Sequence, residues 1–465
     1  MKYFLLQTDR PALSYRVGEP IVMTVTAKDH TQPAECRYVR YHLATDDGQS
    51  KDGLARITPY SPLVLSVTLS RPGFVHLICR AMTPDDTPDP GFEVLEGGAG
   101  ADVESISYAD TLPDDYADFW GKIEKQIENF TPQLLSKEPV PVPFAGDDYT
   151  SFDVRISTPI DTPASGYLTL PNTPGCYPIY LWFEGYSVCG AKKFYMPNAI
   201  TLSVNAHGIE NGFDKILMNQ KYPQLLAYGF SKEENASPDT CYWKNMAIRN
   251  LCAAKFAQTL PKWDGRNLIL KGGSQGALQA TTAAAHCRAV TRLEIAIPWF
   301  CNLKAESNGY LPGWRPAFAP GLRYFDTVAQ ATGVTCTTII DAYLGDYTCP
   351  PATVMALYNT LSCKKFLRFT QGGTHGYRHP QPEHFHLQSD AHHTPFSLTP
   401  GKYRHFKGKE YELLDTATDS ETGEELVVYR ALYGDRKLWV RPAHAFLEEV
   451  FTGDTVKPRF TPLDR

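Results

Sequence analysis

Lys271-Gly272-Gly273-Ser274-Gln275-Gly276-Ala277 sets a G-x-S-x-G arrangement between an apolar run, Leu268-Ile269-Leu270, and an alanine-rich run over 278–287. The first run has the composition of a buried strand and the second that of a helix. A serine on so sharp a strand-to-helix turn, flanked by residues small enough to let the backbone bend, is a nucleophile elbow: its hydroxyl projects from the edge of a sheet. A bare G-x-S-x-G also occurs in purely structural turns. Here the strand before it and the helix after it predict the elbow.

Outward from the elbow, apolar strand-like runs alternate with longer helical stretches. The runs fall at 180–183, 200–204, 268–270, 293–297, 337–340 and 366–369. That alternation predicts an α/β domain, a mostly parallel sheet covered by helices, over residues 101–393. Before it, residues 1–100 carry short alternating runs such as Ile21-Val22-Met23-Thr24-Val25-Thr26-Ala27, broken by turn clusters such as Arg71-Pro72-Gly73. These predict an Ig-like antiparallel β-sandwich, closed by Gly97-Gly98-Ala99-Gly100 as a flexible junction. Residues 394–465 return to short aromatic and β-branched runs and predict a small β-rich domain, an open barrel being one form of it.

An elbow serine needs a base and an acid, which in α/β-hydrolases follow it in the order acid, then histidine. Asp346, in Gly345-Asp346-Tyr347-Thr348-Cys349-Pro350-Pro351, lies just beyond the 337–340 strand. Asp341 is the competing acid, nearer the strand itself, with a core or loop-capping role as its plainer reading. His375, in Gly372-Gly373-Thr374-His375-Gly376-Tyr377, follows the last strand, and its glycines let the loop reach across to the serine. In such a triad the imidazole takes the serine proton and the carboxylate fixes the imidazole tautomer. The developing oxyanion would be held by the backbone N–H groups of Gln275 and of Tyr186, the latter in the Glu184-Gly185-Tyr186 loop after the 180–183 strand.

Composition narrows the function classes. At 465 residues the chain is too long for one ordinary domain, and 43 % hydrophobic content is enough for real cores. A net charge of -6 argues against nucleic-acid binding, and the tail has no basic surplus, with 11 Lys plus Arg against 12 Asp plus Glu over 400–465. The start of the sequence leaves no room for a signal-peptide apolar segment before Asp9, Arg10 and Pro11, and no 18-residue apolar window exists, so no membrane partner is expected. Eleven scattered cysteines without a paired C-x-x-C spacing fit reduced thiols. The expectation is a cytoplasmic protein, or a secreted one whose leader has been removed.

The middle segment resembles the acetyl xylan esterase and cephalosporin C deacetylase family of α/β-hydrolases. The matching pieces are Asp118-Phe119-Trp120, Gly166-Tyr167-Leu168, Gly185-Tyr186, Gly273-Ser274-Gln275-Gly276, Ile297-Pro298-Trp299-Phe300-Cys301, Gly345-Asp346 with Cys349-Pro350-Pro351, and Tyr358-Asn359. The resemblance implies Ser274, Asp346 and His375 as the triad, the amides of Tyr186 and Gln275 as the oxyanion hole, removal of acetyl groups from carbohydrate hydroxyls, and a homo-oligomer. The chain departs from the family where an R-G-Q motif is usual: it reads Ala206-His207-Gly208-Ile209, so the bracing of the elbow region must come from elsewhere. Gly376, not glutamate, follows the histidine, and Asn302 stands where aspartate is usual. The tail, through Gly401-Lys402-Tyr403-Arg404-His405-Phe406-Lys407-Gly408-Lys409-Glu410-Tyr411, Ser420-Glu421, Val427-Val428-Tyr429 and Trp439-Val440-Arg441-Pro442, is similar to a short bacterial domain family of unknown function.

Trp299, Phe300, Tyr377 and His207 are candidates for the substrate pocket, with core packing or a structural loop role as the alternative for each; Tyr310 and Trp314 join the aromatic set. His379, His384, His386, His392 and His393 cluster after the catalytic loop, but prolines around them and the lack of a nearby paired cysteine argue for a connector and no metal. No cofactor is expected. The reading is a serine esterase acting on O-acetylated oligosaccharides or similar small esters. A serine peptidase or acyltransferase on the same scaffold stays open, because a triad does not select the leaving group, as does an inactive relative that binds carbohydrate or acts as a scaffold.

Overall fold

Alternation in the first segment does what period two requires: in β2 (Pro20–Asp29) Ile21, Met23, Val25 and Ala27 point inward and their neighbours outward. The structure is a computed structural model that describes residues 2–141, 148–389, 400–418, 420, 425–442, 446, 449–451 and 456–463. The chain forms two compact units, residues 1–391 and 392–465.

The sandwich at the start of the first unit pairs two four-stranded antiparallel sheets. One holds β1 (Lys2–Thr8), β2, β3 (Gln32–Pro33) and β6 (Leu63–Thr68); the other has the order β5-β4-β7-β8, from β4 (Cys36–Thr45), β5 (Ser50–Ile57), β7 (Gly73–Ala81) and β8 (Leu95–Ala101). The run Gly97-Gly98-Ala99-Gly100 is therefore not a flexible junction. It lies inside β8, buried and paired with β7, because β8 is sandwiched so closely that a Cβ on Gly98 would come 2.0 Å from the Val75 carbonyl oxygen. Composition signalled the glycines correctly, but tertiary crowding, not flexibility, is their reason. One continuous hydrophobic core runs from Phe4 in the sandwich to Phe385 in the following domain.

A ten-stranded sheet forms the centre of the second part. Its strands are β9 (Leu134–Val140), β10 (Tyr149–Ile156), β11 (Ala164–Pro171), β12 (Tyr177–Phe183), β13 (Ile200–Val204), β14 (Trp263–Gly273), β15 (Arg292–Ala296), β16 (Thr337–Tyr343), β17 (Lys365–Thr370) and β18 (His384–Ser389), in the order β18-β17-β16-β15-β14-β12-β13-β11-β10-β9. Strands from β13 to β17 in this order are parallel, whereas β9 to β11 and β18 join antiparallel. All six sequence-read runs are strands of the parallel block. The chain leaves β12 toward β13 on one side and returns as β14 on the other, so the loops after β12 and β14 open the crevice where α/β sheets bind their ligands.

Helices α1 (Tyr116–Glu128), α2 (Lys215–Lys221), α3 (Tyr242–Ala257), α4 (Gln275–His286), α5 (Thr327–Ala331) and α6 (Pro351–Thr360) accompany this sheet. In α4 residues 275–284 are all buried, which its small Gly, Ala and Thr side chains allow. No helix among the described residues is long and apolar enough to cross a membrane. In the second unit β19 (Gly401–His405), β20 (Glu410–Thr418), β21 (Glu425–Ala431), β22 (Leu438–Pro442) and β25 (Phe460–Pro462) form a sheet in the order β22-β21-β20-β19-β25, with β23 (Glu449–Phe451) paired to β24 (Val456–Pro458). Tyr403, Leu413, Val427, Tyr429, Phe446 and Phe460 make its small core.

Candidate active site

The elbow is built from close approaches that only glycine permits. A Cβ on Gly272 would come 2.1 Å from the Gly276 carbonyl oxygen, and one on Gly276 would come 2.3 Å from that of Phe183. Between them Ser274 adopts φ 55°, ψ -121°, a conformation that costs a non-glycine residue on the order of 1–3 kcal/mol and persists because its surroundings over-determine it. Its amide donates to Ala296 at 2.9 Å, and its carbonyl accepts from Ala277 at 2.9 Å and Trp299 at 3.3 Å.

Three loops at the carboxyl ends of β14, β16 and β17 bring Ser274, Asp346 and His375 together. His375 Nε2 lies 3.0 Å from Ser274 Oγ, and His375 Nδ1 lies 2.9 Å from Asp346 Oδ2. Asp346 is 1 % exposed, and its other oxygen accepts the amides of Thr348 at 2.9 Å and Cys349 at 2.8 Å. With the carboxylate committed as an acceptor, Nδ1 carries the proton and Nε2 is left as the acceptor facing the serine hydroxyl. Asp341 is elsewhere: it stays within β16 and accepts from Arg368 Nε at 2.7 Å.

Gly185 packs toward the elbow, with the Gly273 carbonyl oxygen 3.8 Å from where its Cβ would be. The loop that presents the Tyr186 amide is held at three points. Gln279 of α4 donates to the Glu184 carbonyl at 2.7 Å, the Tyr186 hydroxyl donates to the Tyr228 carbonyl at 3.0 Å, and His207 Nε2 donates to the Ser187 carbonyl at 2.8 Å. His207 Nδ1 faces the Tyr242 hydroxyl at 2.5 Å. Burial, which outweighs the Ser187 bond, lowers the His207 pKa to about 4, so it is a neutral hydrogen-bonding post under the loop.

The position usually taken by an R-G-Q motif is braced by residues the sequence reading did not single out. Buried Arg249 of α3 donates to the Ala206 carbonyl at 2.5 Å and to Thr162 Oγ1 at 2.9 Å, while Asn205 Oδ1 accepts the amides of His207 and Gly208. Tyr228 donates to Gln275 Oε1 at 2.6 Å, steadying the residue that directly follows Ser274. Arg249, Tyr228 and Gln279 lie far from these loops in sequence and match no short motif; only packing shows their role.

Aromatic rings form one wall. Tyr186 stacks on Tyr228 with centroids 4.3 Å apart and meets Trp314 edge-on at 4.8 Å, and Trp299 stacks on Trp314 at 5.5 Å. Trp314 is 45 % exposed, whereas Trp299 and Phe300 are buried and Phe300 turns onto Trp243. Tyr377 lies on the sandwich side, its ring edge-on to His379 and its hydroxyl pushed up to about 12, first by burial and then by the nearby Glu93 carboxylate. A groove of about 690 Å³ runs along the loop after β12, lined by Tyr167, Glu184, Tyr186, Lys192 and Phe213 among others.

Asp346, Cys349 and His375 place one donor atom each within 4.8 Å of one another, a spacing that could hold a metal ion. The hydrogen bonds already described account for the carboxylate and imidazole, and burial pushes the Cys349 thiol well above its ordinary pKa, leaving it a poor ligand at neutral pH. Of the histidine cluster, His379 Nε2 donates to the Phe4 carbonyl, and His384 Nδ1 faces Thr370 Oγ1 at 2.9 Å. His392 and His393, like Glu421, lie outside the described residues.

A parallel sheet with an elbow serine, a strand-end acid and a loop histidine defines an α/β-hydrolase. Residues 102–307 and 317–389 match the family described as acetyl xylan esterase (AXE1), more than half of the chain, and the protein belongs to that family. Residues 401–462 match a family of unknown function, DUF1653. The acetyl esterase Axe7A of Xylanibacter ruminicola is 27 % identical over 276 residues, 54 % of this chain and 61 % of that protein, so the chain spans less than two thirds of that relative's length. An acetyl xylan esterase from Paenibacillus sp. R4 is 19 % identical, with a TM-score of 0.48 over 59 % of this chain and 94 % of that one. A DUF1653 protein from Bordetella bronchiseptica is 39 % identical over 14 % of this chain and 85 % of that one, with a TM-score of 0.13.

Proposed function

We propose that the protein is a serine esterase that removes short acyl groups, mainly acetyl, from carbohydrate hydroxyls. The observation that carries this reading is the unbroken hydrogen-bond path from Ser274 Oγ through His375 to Asp346. Family membership supports acetyl as the acyl group, and the half-exposed Trp314 beside Tyr186 supports a sugar, whose C–H faces pack on aromatic rings.

In the first half-reaction Ser274 Oγ attacks the ester carbonyl carbon as its proton passes to His375 Nε2. The tetrahedral oxyanion sits against the amides of Tyr186 and Gln275, and Asp346 stabilises the imidazolium. Collapse breaks the bond to the sugar oxygen, which leaves with the proton from His375. Water then attacks the acyl-enzyme, giving its proton to His375, and collapse returns that proton to Ser274 and releases acetate.

The test is p-nitrophenol release from acetate, butyrate and octanoate esters by wild type and Ser274→Ala, followed by acetate release from acetylated xylo-oligosaccharides. Serine-dependent turnover that falls with chain length supports the reading. Turnover no faster than in Ser274→Ala on every ester would overturn it.

A further inference from the structure

Strand β8 is the edge of its sheet, and an edge presents unpaired N–H and C=O groups. At Gly98 both are taken by one side chain from the hydrolase part. The Gly98 amide donates to Gln371 Oε1 at 3.0 Å and its carbonyl accepts from Gln371 Nε2 at 2.7 Å, both bonds buried. Gln371 follows directly on β17 and opens the loop that carries His375.

The acid loop meets the same strand. A Cβ on Gly345 would lie 2.2 Å from the Glu96 carbonyl oxygen and 2.8 Å from that of Gly373, so β8, the Asp346 loop and the His375 loop converge there. The Gly345 amide joins the two loops by donating to Gly373 at 3.2 Å. Next to Asp346, the Tyr347 ring meets His76 of β7 edge-on at 5.1 Å; His76 Nε2 faces buried Asp46 Oδ1 at 3.2 Å. At the far end of the base loop His379 donates to the Phe4 carbonyl at 2.9 Å.

The base loop carries Gly372, Gly373 and Gly376, and a glycine-rich segment has more backbone freedom to lose than any other. Ser274 is secured within the hydrolase part, by β14, α4, Ala296 of β15 and Trp299, whereas the loops of its two partners are each anchored on the sandwich. We propose that the N-terminal sandwich is a positioning element of the active site: through Gln371 and Gly345 it sets where His375 and Asp346 stand relative to Ser274. Gln371 is thus a positioning residue, and the inference rests on the triad reading above. Displacing a catalytic group by about 1 Å costs on the order of a hundredfold in rate, so even a small relaxation of these loops is measurable.

The test compares full-length wild type, Gln371→Ala and Gln371→Glu, with Arg71→Ala as an interface variant whose bonds run to the carbonyls of Asn308 and Asp46 and not to either catalytic loop. Four quantities are read: kcat and KM for p-nitrophenyl acetate, the rate at which a fluorophosphonate modifies Ser274, and the downfield proton resonance of the His375 Nδ1–H bonded to Asp346. Gln371→Ala is expected to lower kcat and the modification rate by about tenfold or more with KM nearly unchanged, and to broaden or abolish the resonance. Gln371→Glu keeps an acceptor for the Gly98 amide and loses the donor, so it falls between; it decides the matter if Gln371→Ala does not fold. Arg71→Ala is expected to lower thermal stability with kcat retained. A folded Gln371 variant with wild-type kcat, modification rate and resonance would overturn the inference while leaving the triad intact. A wild type lacking both the resonance and serine modification would overturn the triad reading, and this one with it.

Discussion

Asp346 accepts the His375 Nδ1–H at 2.9 Å, whereas Asp341, five residues earlier, is paired with Arg368 on the neighbouring strand. The sheet register accounts for the split: Asp341 is in line with Arg368 across β16 and β17, and only a residue beyond the strand end can turn toward the elbow. Asp346→Asn should therefore lower kcat by about 10⁴-fold by presenting the wrong tautomer, while Asp341→Asn should cost no more than a few-fold. Steady-state kinetics of the two variants on p-nitrophenyl acetate checks this, and the reverse ranking would reassign the acid.

Ser274→Ala and His375→Ala should each reduce turnover by about a thousandfold or more, and the double variant should be no worse than either. In the proposed mechanism Oγ and Nε2, 3.0 Å apart, serve one proton transfer, so losing either loses the same step. Additive losses would show that they do not act together.

His207 supplies a stability signature. Its pKa is lowered from 6.5 in the unfolded chain to about 4 in the fold, mainly by burial, so the folded state binds fewer protons. Its contribution is fully present above pH 6.5 and is lost as pH falls toward 4, a swing of about 3 kcal/mol. His207→Phe removes the titration and leaves the Ser187 carbonyl without its donor. Denaturant unfolding at pH 7 and pH 4.5 should show the variant less stable at pH 7, with the gap to wild type narrowing at the lower pH.

Trp314 is 45 % exposed beside the stacked rings of Tyr186 and Trp299. Trp314→Ala should raise KM for an acetylated xylo-oligosaccharide several-fold and change KM for p-nitrophenyl acetate much less. Equal changes for both substrates would show that this wall does not hold the sugar.

Tyr228→Phe removes the only hydrogen bond to the Gln275 side chain among the described residues, whose Nε2 is already buried without a partner. Leaving a further buried polar atom unsatisfied should destabilise the fold by about 1–3 kcal/mol, measurable as a lower denaturant midpoint.

Much of the site was legible because it is local. Gly272, Ser274 and Gly276 sit within one turn, and Asp346 and His375 follow strands whose apolar runs are plain in the sequence. The antiparallel strand β9 was not legible: in Leu-Leu-Ser-Lys-Glu-Pro-Val most side chains are exposed, so no alternation marks it. Gly97-Gly98-Ala99-Gly100 pointed the wrong way, since glycine required by a close neighbour and glycine required by a flexible linker have the same composition.

The sequence by itself determined the fold class, the elbow and the chain order of Ser274, Asp346 and His375, since these depend on residue type and short-range periodicity. Tertiary structure alone decided which aspartate meets His375, that Arg249 and His207 support the loops around the altered motif, and that β8 touches the loops of both Asp346 and His375. Each of these is a contact between segments separated by tens to hundreds of residues. Distances across a folded chain are set by how whole sheets pack, and no local pattern records them.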